Sequence, residues 1–210
     1  GEGANGIPNK LSVLKINFAK PQQPVKKFRE LSLDELDDSP TCLDFWLPED
    51  INNTALGNNN KNANGLSNDK NGIVLVGCNE NSSNVKRGTN RHLRKFAWEN
   101  EHLRFLASCD YNKSTDPSVY TKFLSMSNDG IHAALASSEL PSTIRVINPQ
   151  DLSETYEIET GNEVKDLDFS PNGKVLAYIT ETSIDSISIV TGSFIARKMD
   201  FDKNLALSKV

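Results

Sequence analysis

The first residues of the chain have the glycine spacing that surrounds a pyrophosphate in dinucleotide-binding proteins. Residues 1–6 read G-E-G-A-N-G, which fits G-x-G-x-x-G. In a dinucleotide site this loop follows a strand, opens a helix and precedes, by about 20 residues, an acid that binds the ribose. Here Pro8 and the alternating residues after it oppose a helix, and QPVKKF at 23–28 contains no acid. The glycine run therefore does not predict a nucleotide cofactor.

Other residue types that could perform chemistry are not arranged for catalysis. His92, His102 and His132 lie at or beside alternating strand patterns, without an acid and a nucleophile at a catalytic spacing. We interpret them as packed or surface side chains. The three cysteines are widely spaced and form no C-x-x-C pair, which favours buried free thiols over a zinc site or a disulfide framework.

Charge and hydropathy exclude further classes of partner. The formal net charge is −5, so the chain as a whole has no electrostatic signature for nucleic acid. Its one basic run, KRGTNRHLRK from Lys86 to Lys95, is interpreted as a solvated strand edge. No apolar run approaches the roughly 18 residues of a membrane span. Any membrane attachment is therefore expected through an anchor outside this segment.

A repeat defines the elements that would position a site. Val119–Ser138 and Val164–Ser183 each contain an alternating strand, a Ser-x-[Asp/Asn]-Gly turn and a second apolar strand, and the turn glycines Gly130 and Gly173 lie 43 residues apart. Two further strand patterns complete each unit. Four short strands at a period of about 40–45 residues are typical of WD40-type β-propeller blades.

An earlier unit becomes visible once an interruption is set aside. Residues 47–71 contain nine asparagines in 25 residues, which predicts a disordered insertion between the first two strands of that unit. Upstream, KLSVLKINF and VKKFRELSL predict the last two strands of another blade, and NLALSKV opens one more. The predicted fold class is all-β, a partial propeller of about three and a half to four blades.

Two segments of this propeller could carry function. Residues 1–10 would form a glycine-rich loop on the rim, leading into the third strand of a blade, and loops on rigid scaffolds often bind partners. Pro40 lies where the first strand of the next blade begins, and proline at a strand start favours a structural role.

Longer motifs carry a family resemblance. NGIPNK, DDSPTCLD, GIVLVGCNENS, HLRKF and EIETGNEVKDLDFSPNGKVLAYIT closely resemble the membrane-bound guanine-nucleotide exchange factors of the yeast endoplasmic reticulum, which activate the small GTPase that initiates the COPII coat. The similarity covers the chain except the asparagine-rich insertion. It implies a seven-bladed propeller on the cytosolic face of that membrane, of which residues 1–210 would be the N-terminal half.

The resemblance also implies a site in the opening loop, because the family's first-blade glycine loop binds a potassium ion and contacts the GTPase. Asn9 and then Ile7 are the residues expected to drive nucleotide release, without any bond chemistry and with a preference for the nucleotide-free GTPase. The implied GTPase-binding residues are Asn5, Gly6, Ile7, Pro8 and Asn9. The implied potassium ligands, mainly backbone carbonyls, are Gly1, Gly3, Ala4, Asn5 and Ile7.

Two alternatives remain open. Yeasts carry a diverged paralogue that keeps the propeller but modulates the GTPase cycle, and KKFRELSLDELDDSPT and EHLRFL resemble it. The retained loop sequence Asn5–Asn9 favours the active exchanger. A generic propeller module that binds other proteins is the second alternative.

Overall fold

The computed structural model describes residues 8–34, 37–48 and 71–199. This part of the chain contains strands and one short helix, α1, at Ser82–Lys86. The strands are β1 Lys10–Ile16, β2 Val25–Ser32, β3 Cys42–Trp46, β4 Gly72–Gly77, β5 Leu93–Glu99, β6 His102–Cys109, β7 Thr121–Met126, β8 Ala133–Ser137, β9 Thr143–Ile147, β10 Glu154–Glu159, β11 Asp166–Phe169, β12 Val175–Ile179, β13 Ile184–Ser188 and β14 Phe194–Lys198.

The strands form antiparallel meanders in chain order. β1 and β2 form a two-stranded sheet, and β3–β6, β7–β10 and β11–β14 form three four-stranded sheets. β7 packs beside both β3 and β11, so the first strands of the three complete sheets are neighbours. This is the arrangement of propeller blades, and the predicted partial propeller is confirmed. The strand predicted in NLALSKV and most of the 47–71 insertion lie outside the described residues.

The core of the described residues lies between consecutive sheets. Ile144 and Val146 of β9 pack in one buried cluster with Leu176 and Tyr178 of β12. Each of these side chains is fully buried. In β8 of the middle sheet four of the five residues are buried, because neighbouring sheets cover both faces of this blade.

One face of the β3–β6 sheet is only partly covered. Leu11 of β1 packs against Val76 of β4 and Phe96 of β5. Leu43 and Phe45 of β3 pair in register with Val76 and Val74, yet they are 56% and 57% exposed. The β1–β2 pair thus covers the outer part of this face. The uncovered part is where the two inner strands of a complete blade would pack.

The repeated Ser-x-x-Gly turns hold neighbouring sheets together. Gly130 has φ +69°, and a Cβ atom there would lie 2.4 Å from the Trp46 ring of the preceding sheet. The Trp46 indole N–H also donates to the Asn128 carbonyl over 3.0 Å. Gly130 therefore provides both the turn conformation and the space that this contact requires.

We expect Gly130→Ala to lower the free energy of unfolding of the full-length protein by about 2–4 kcal/mol, because it combines a strained φ with overpacking against Trp46. Gly192→Ala is the matched control, since Gly192 has φ +67° but nothing within 4 Å of its would-be Cβ. The control should lose only about 1 kcal/mol. Equal shifts in urea unfolding for both variants would contradict the packing role.

The basic run from Lys86 to Lys95 corrects one expectation. The Lys95 ammonium group donates to the Gln150 carbonyl of the next sheet, and the residue is 8% exposed. Arg94 forms an ion pair with Asp37. The prediction of a solvated strand edge is therefore wrong for these two residues, because neighbouring elements provide partners that a single strand pattern does not reveal. Residues 86–91 lie in the helix end and the loop that follow β4.

Candidate functional site

The candidate site lies at one end of the propeller, which we call the Asn9 end. In a four-stranded antiparallel meander, the loop between the second and third strands lies at one end of the sheet. The loop that leads from the fourth strand to the next sheet lies at the same end. Residues 8–9 precede β1, residues 33–41 join β2 to β3, and residues 78–92 join β4 to β5. All three segments therefore meet at the Asn9 end.

Asn9 connects the opening loop to the segment that contains Pro40. Its amide nitrogen donates to the Asp37 carbonyl over 3.0 Å, and its amide oxygen lies 3.4 Å from the Ser39 hydroxyl. The backbone N–H of Leu33 donates to the Asn9 carbonyl over 2.8 Å. Asn9 is half-buried, and its side chain serves as a brace between two segments that lie about 30 residues apart.

A buried ion pair fixes the segment to which Asn9 is hydrogen-bonded. Asp37 and Arg94 form a salt bridge in which their side chains are 9% and 12% exposed. The Asp38 N–H donates to the Asn79 carbonyl over 3.1 Å, and the Thr41 N–H donates to the Gly77 carbonyl over 2.9 Å. Residues 37–41 are thereby fixed to β4 and β5, and their position determines where Asn9 lies.

The structure brings together two of the predicted sites. Asn9 contacts the residues just before Pro40, and both Pro8 and Pro40 are half-buried at the same end. A structural role for Pro40 remains a prediction. The other implied loop residues lie outside the described residues: Gly1, Gly3, Ala4, Asn5, Gly6 and Ile7. Within residues 8–34, 37–48 and 71–199, no group of three or more His, Cys, Asp or Glu could hold a metal ion.

The strand patterns of the sequence did not predict the helix at this end, α1. Asn81 caps α1, since its side-chain oxygen accepts the Asn84 N–H over 2.9 Å, and Val85 anchors the helix in the core with no exposure. The buried side chains of Asn79 and Asn90 hydrogen-bond over 3.1 Å at the base of the connection. The signal was present in N-S-S-N, a typical N-terminal cap sequence.

His92 locks the same connection to the next sheet. Its Nε2 accepts the backbone N–H groups of Tyr111 and Asn112 over 3.2 and 3.1 Å. Nδ1 therefore carries the proton and donates to the Thr121 hydroxyl over 2.7 Å. Burial lowers the pKa of His92 to about 4, against the opposing influence of Asp110. The prediction that His92 is a packed side chain is confirmed, since the residue is 3% exposed.

A cleft of about 410 Å³ opens beside the brace. Its walls include both members of the Asp37–Arg94 pair, together with Glu80 and Arg91, and the ring of Phe105 is part of its lining. Phe105 is 53% exposed. The cleft offers mixed charge with an apolar element, which is suited to protein side chains rather than to a single small anion.

These sheets and loops define a segment of a β-propeller whose candidate site is a cluster of connecting loops at one end. No protein-family profile matches the chain. The chain superimposes on part of the Kuenenia stuttgartiensis hydrazine synthase with a TM-score of 0.45 and 14% identity, over 62% of this chain and 33% of that one. It superimposes on part of U3-55K with a TM-score of 0.46 and 15% identity, over 64% of this chain and 38% of that one. The fold assignment rests on the sheet topology and not on these partial overlaps.

Comparison with characterised sequences gives the family. The chain is 47% identical to SED4 of Saccharomyces cerevisiae over 100% of its length, and 46% identical to SED4 of Candida glabrata over 97% of its length. Both relatives are described provisionally as guanine nucleotide-exchange factors. It is 44% identical over its full length to the Candida glabrata guanine nucleotide-exchange factor SEC12. The chain belongs to this SEC12/SED4 family of yeasts. It spans 18% of each SED4 protein and 41% of SEC12.

Among the described residues, no helix has the length and apolar character needed to cross a bilayer.

Proposed function

We propose that this chain is part of a guanine-nucleotide exchange factor that promotes GDP release from the small GTPase initiating the COPII coat, at the cytosolic face of the endoplasmic reticulum membrane. The relatives named SEC12 and SED4 support exchange activity. The specific GTPase and the location follow from the resemblance of the sequence motifs. The observation that carries the proposal is the Asn9 brace, which fixes the base of the opening loop against residues 37–39.

The brace explains how the loop could act. Residues 5–8 would contact the GTPase, while Asn9 holds their attachment point, since its amide already bonds to Asp37 and approaches Ser39. A loop held in its binding conformation loses less entropy on docking. GDP release follows when the factor binds the nucleotide-free GTPase more tightly than the loaded one, because only differential affinity shifts the equilibrium. No bond is made or broken.

We further propose a potassium ion in the loop, held by the backbone carbonyls of Gly1, Gly3, Ala4, Asn5 and Ile7. The support is the family resemblance of NGIPNK. Carbonyl oxygens are suitable ligands for an alkali cation, which is a hard ion. The ion would provide a fixed positive centre, and the residues of the chain would keep the loop in one protruding shape. Replacing potassium by a bulky organic cation should then slow exchange by the wild-type protein.

The test is GDP release from the COPII-initiating GTPase, followed by fluorescence, with the full-length protein added. We expect wild-type protein to accelerate release and Asn9→Ala to reduce the acceleration roughly 10-fold, the loss expected for one hydrogen bond of about 1–1.5 kcal/mol. Asn128→Ala is the matched control: it removes a comparable bond, 3.2 Å to the Pro171 carbonyl, at the opposite end of the propeller.

Two results would count against the proposal. If Asn128→Ala slows release as much as Asn9→Ala, the effect reflects general stability and not the site. If wild-type protein leaves GDP release unchanged, the exchange activity itself is wrong.

The second candidate function is a regulator that binds the GTPase without exchanging its nucleotide. The observation that favours it is the resemblance of KKFRELSLDELDDSPT and EHLRFL to the diverged yeast paralogue. Binding of the GTPase without acceleration of GDP release would assign the chain to this class.

A further inference from the structure

We propose that the exposed cations Lys86, Arg87 and Arg91 form a second docking surface, the α1 basic surface, that binds an acidic region of the same GTPase. This inference rests on the proposed exchange function and extends it. It concerns a part of the molecule that is distinct in sequence from the opening loop.

The α1 basic surface lies at the Asn9 end. Lys86 ends α1 and Arg91 precedes β5, so both belong to the β4–β5 connection, and all three cations are exposed. The connection is joined to the brace through Asn79, whose carbonyl accepts the Asp38 N–H over 3.1 Å. A partner docked on the opening loop would therefore approach this surface on the same face of the propeller.

Internal hydrogen bonds and one buried side chain hold the backbone of this connection. Val85 is fully buried, and Asn90 accepts the Glu80 N–H over 3.0 Å while it donates to Asn79. The Arg91 N–H lies 3.3 Å from the Glu80 carboxylate. The cations are thus presented from a fixed backbone, so little loop entropy would be lost on binding.

The charges of this surface are not used within the described residues. Neither Lys86 nor Arg91 forms a salt bridge there, and the Arg87 guanidinium donates to the Asn84 amide rather than to a carboxylate. Other cations of the same part of the chain are paired, as Arg145 is with Glu154 and Glu157. Three exposed cations in one short segment, on a chain of net charge −5, are suited to steering an acidic partner.

The cleft favours a protein partner over an anionic bilayer. Arg91 and Phe105 line the same cleft of about 410 Å³, in which acidic side chains are also present. A concave site with a cation and an apolar ring can receive individual side chains of a folded partner, whereas the flat surface of a bilayer would not enter it.

The test compares two charge reversals in the full-length protein. Lys86→Glu with Arg91→Glu reverses the charge of two of the three cations in the α1 basic surface. Lys20→Glu with Lys174→Glu changes the net charge equally through two exposed lysines in turns at the opposite end. Association with the nucleotide-free GTPase is measured by stopped-flow fluorescence at low and high salt, with thermal unfolding measured in parallel.

We expect the first double variant to associate roughly 10-fold more slowly than the control at low salt, with a weaker salt dependence and an unchanged unfolding temperature. Equal association rates for the two double variants would overturn this inference while leaving exchange by the wild type intact. The inference would also be overturned if the first double variant lost binding to phosphatidylserine vesicles while its association with the GTPase stayed unchanged. Failure of wild-type protein to bind the GTPase at all would instead overturn the proposed function.

Discussion

Replacing Arg94 by leucine should lower the free energy of unfolding by about 3–5 kcal/mol, because it leaves the Asp37 carboxylate buried without its partner. Both side chains are nearly inaccessible, at 12% and 9% exposure, so water cannot compensate for the loss. The measurement is urea unfolding of the full-length protein. Arg104→Leu is the matched control, since Arg104 pairs with Glu99 at 55% exposure and should cost less than about 1 kcal/mol.

The same substitution should also affect exchange. Asp37 accepts the Asn9 amide through its carbonyl, so loss of Arg94 loosens the segment that braces the opening loop. We therefore expect a larger loss of GDP-release activity than for Asn9→Ala. The double variant Arg94→Leu with Asp37→Leu should recover part of the stability, because it removes the unpaired charge. A stability loss no larger than that of Arg104→Leu would contradict the buried-pair account.

Acidification should destabilise the protein through His92. The unfolded histidine titrates near 6.5, whereas burial keeps the folded pKa at about 4. Between these values the unfolded state binds a proton that the folded state does not. Stability contributed by neutral His92 is therefore complete above pH 6.5 and is lost as the pH falls toward 4, by up to about 3 kcal/mol. Protonation of Nε2 would also oppose the N–H groups of Tyr111 and Asn112.

The check is the pH dependence of urea unfolding in wild type, His92→Gln and His102→Gln. Carboxylates also titrate in this range, so the informative quantity is the difference between wild type and each variant. His92→Gln should flatten the stability profile between pH 6.5 and 4. His102 is exposed and serves as the control, with a slope like that of the wild type. Identical slopes for all three proteins would contradict the assignment of the pH dependence to His92.

Local patterns were sufficient to predict the blades. The Asn-Asp-Gly and Pro-Asn-Gly turns need positive φ, and Gly130 and Gly173 have φ of +69° and +68°. The two residues between β5 and β6, Asn100 and Glu101, also adopt positive φ, at 49° and 61°. Such features depend on neighbouring residues in the chain, so one sequence suffices to find them.

Features that depend on contacts between sheets could not be predicted in this way. The polar partner of Lys95 is a carbonyl about 55 residues away, and Arg94 finds Asp37 about 57 residues earlier. Nothing in the run Lys86–Lys95 distinguishes these buried cations from the exposed ones. The role of Asn9 as a brace likewise depends on the Asp37 carbonyl, which no side-chain pattern records.

The most direct test of the central claim is the affinity of the full-length protein for the COPII-initiating GTPase in two states, measured by calorimetry. An exchange factor that acts through differential binding should bind the nucleotide-free GTPase at least roughly 100-fold more tightly than the GDP-bound form, a coupling of about 3 kcal/mol. Asn9→Ala should reduce this ratio and Asn128→Ala should preserve it. Equal affinity of the wild-type protein for both states would contradict exchange and indicate a protein that binds the GTPase without opening its nucleotide site.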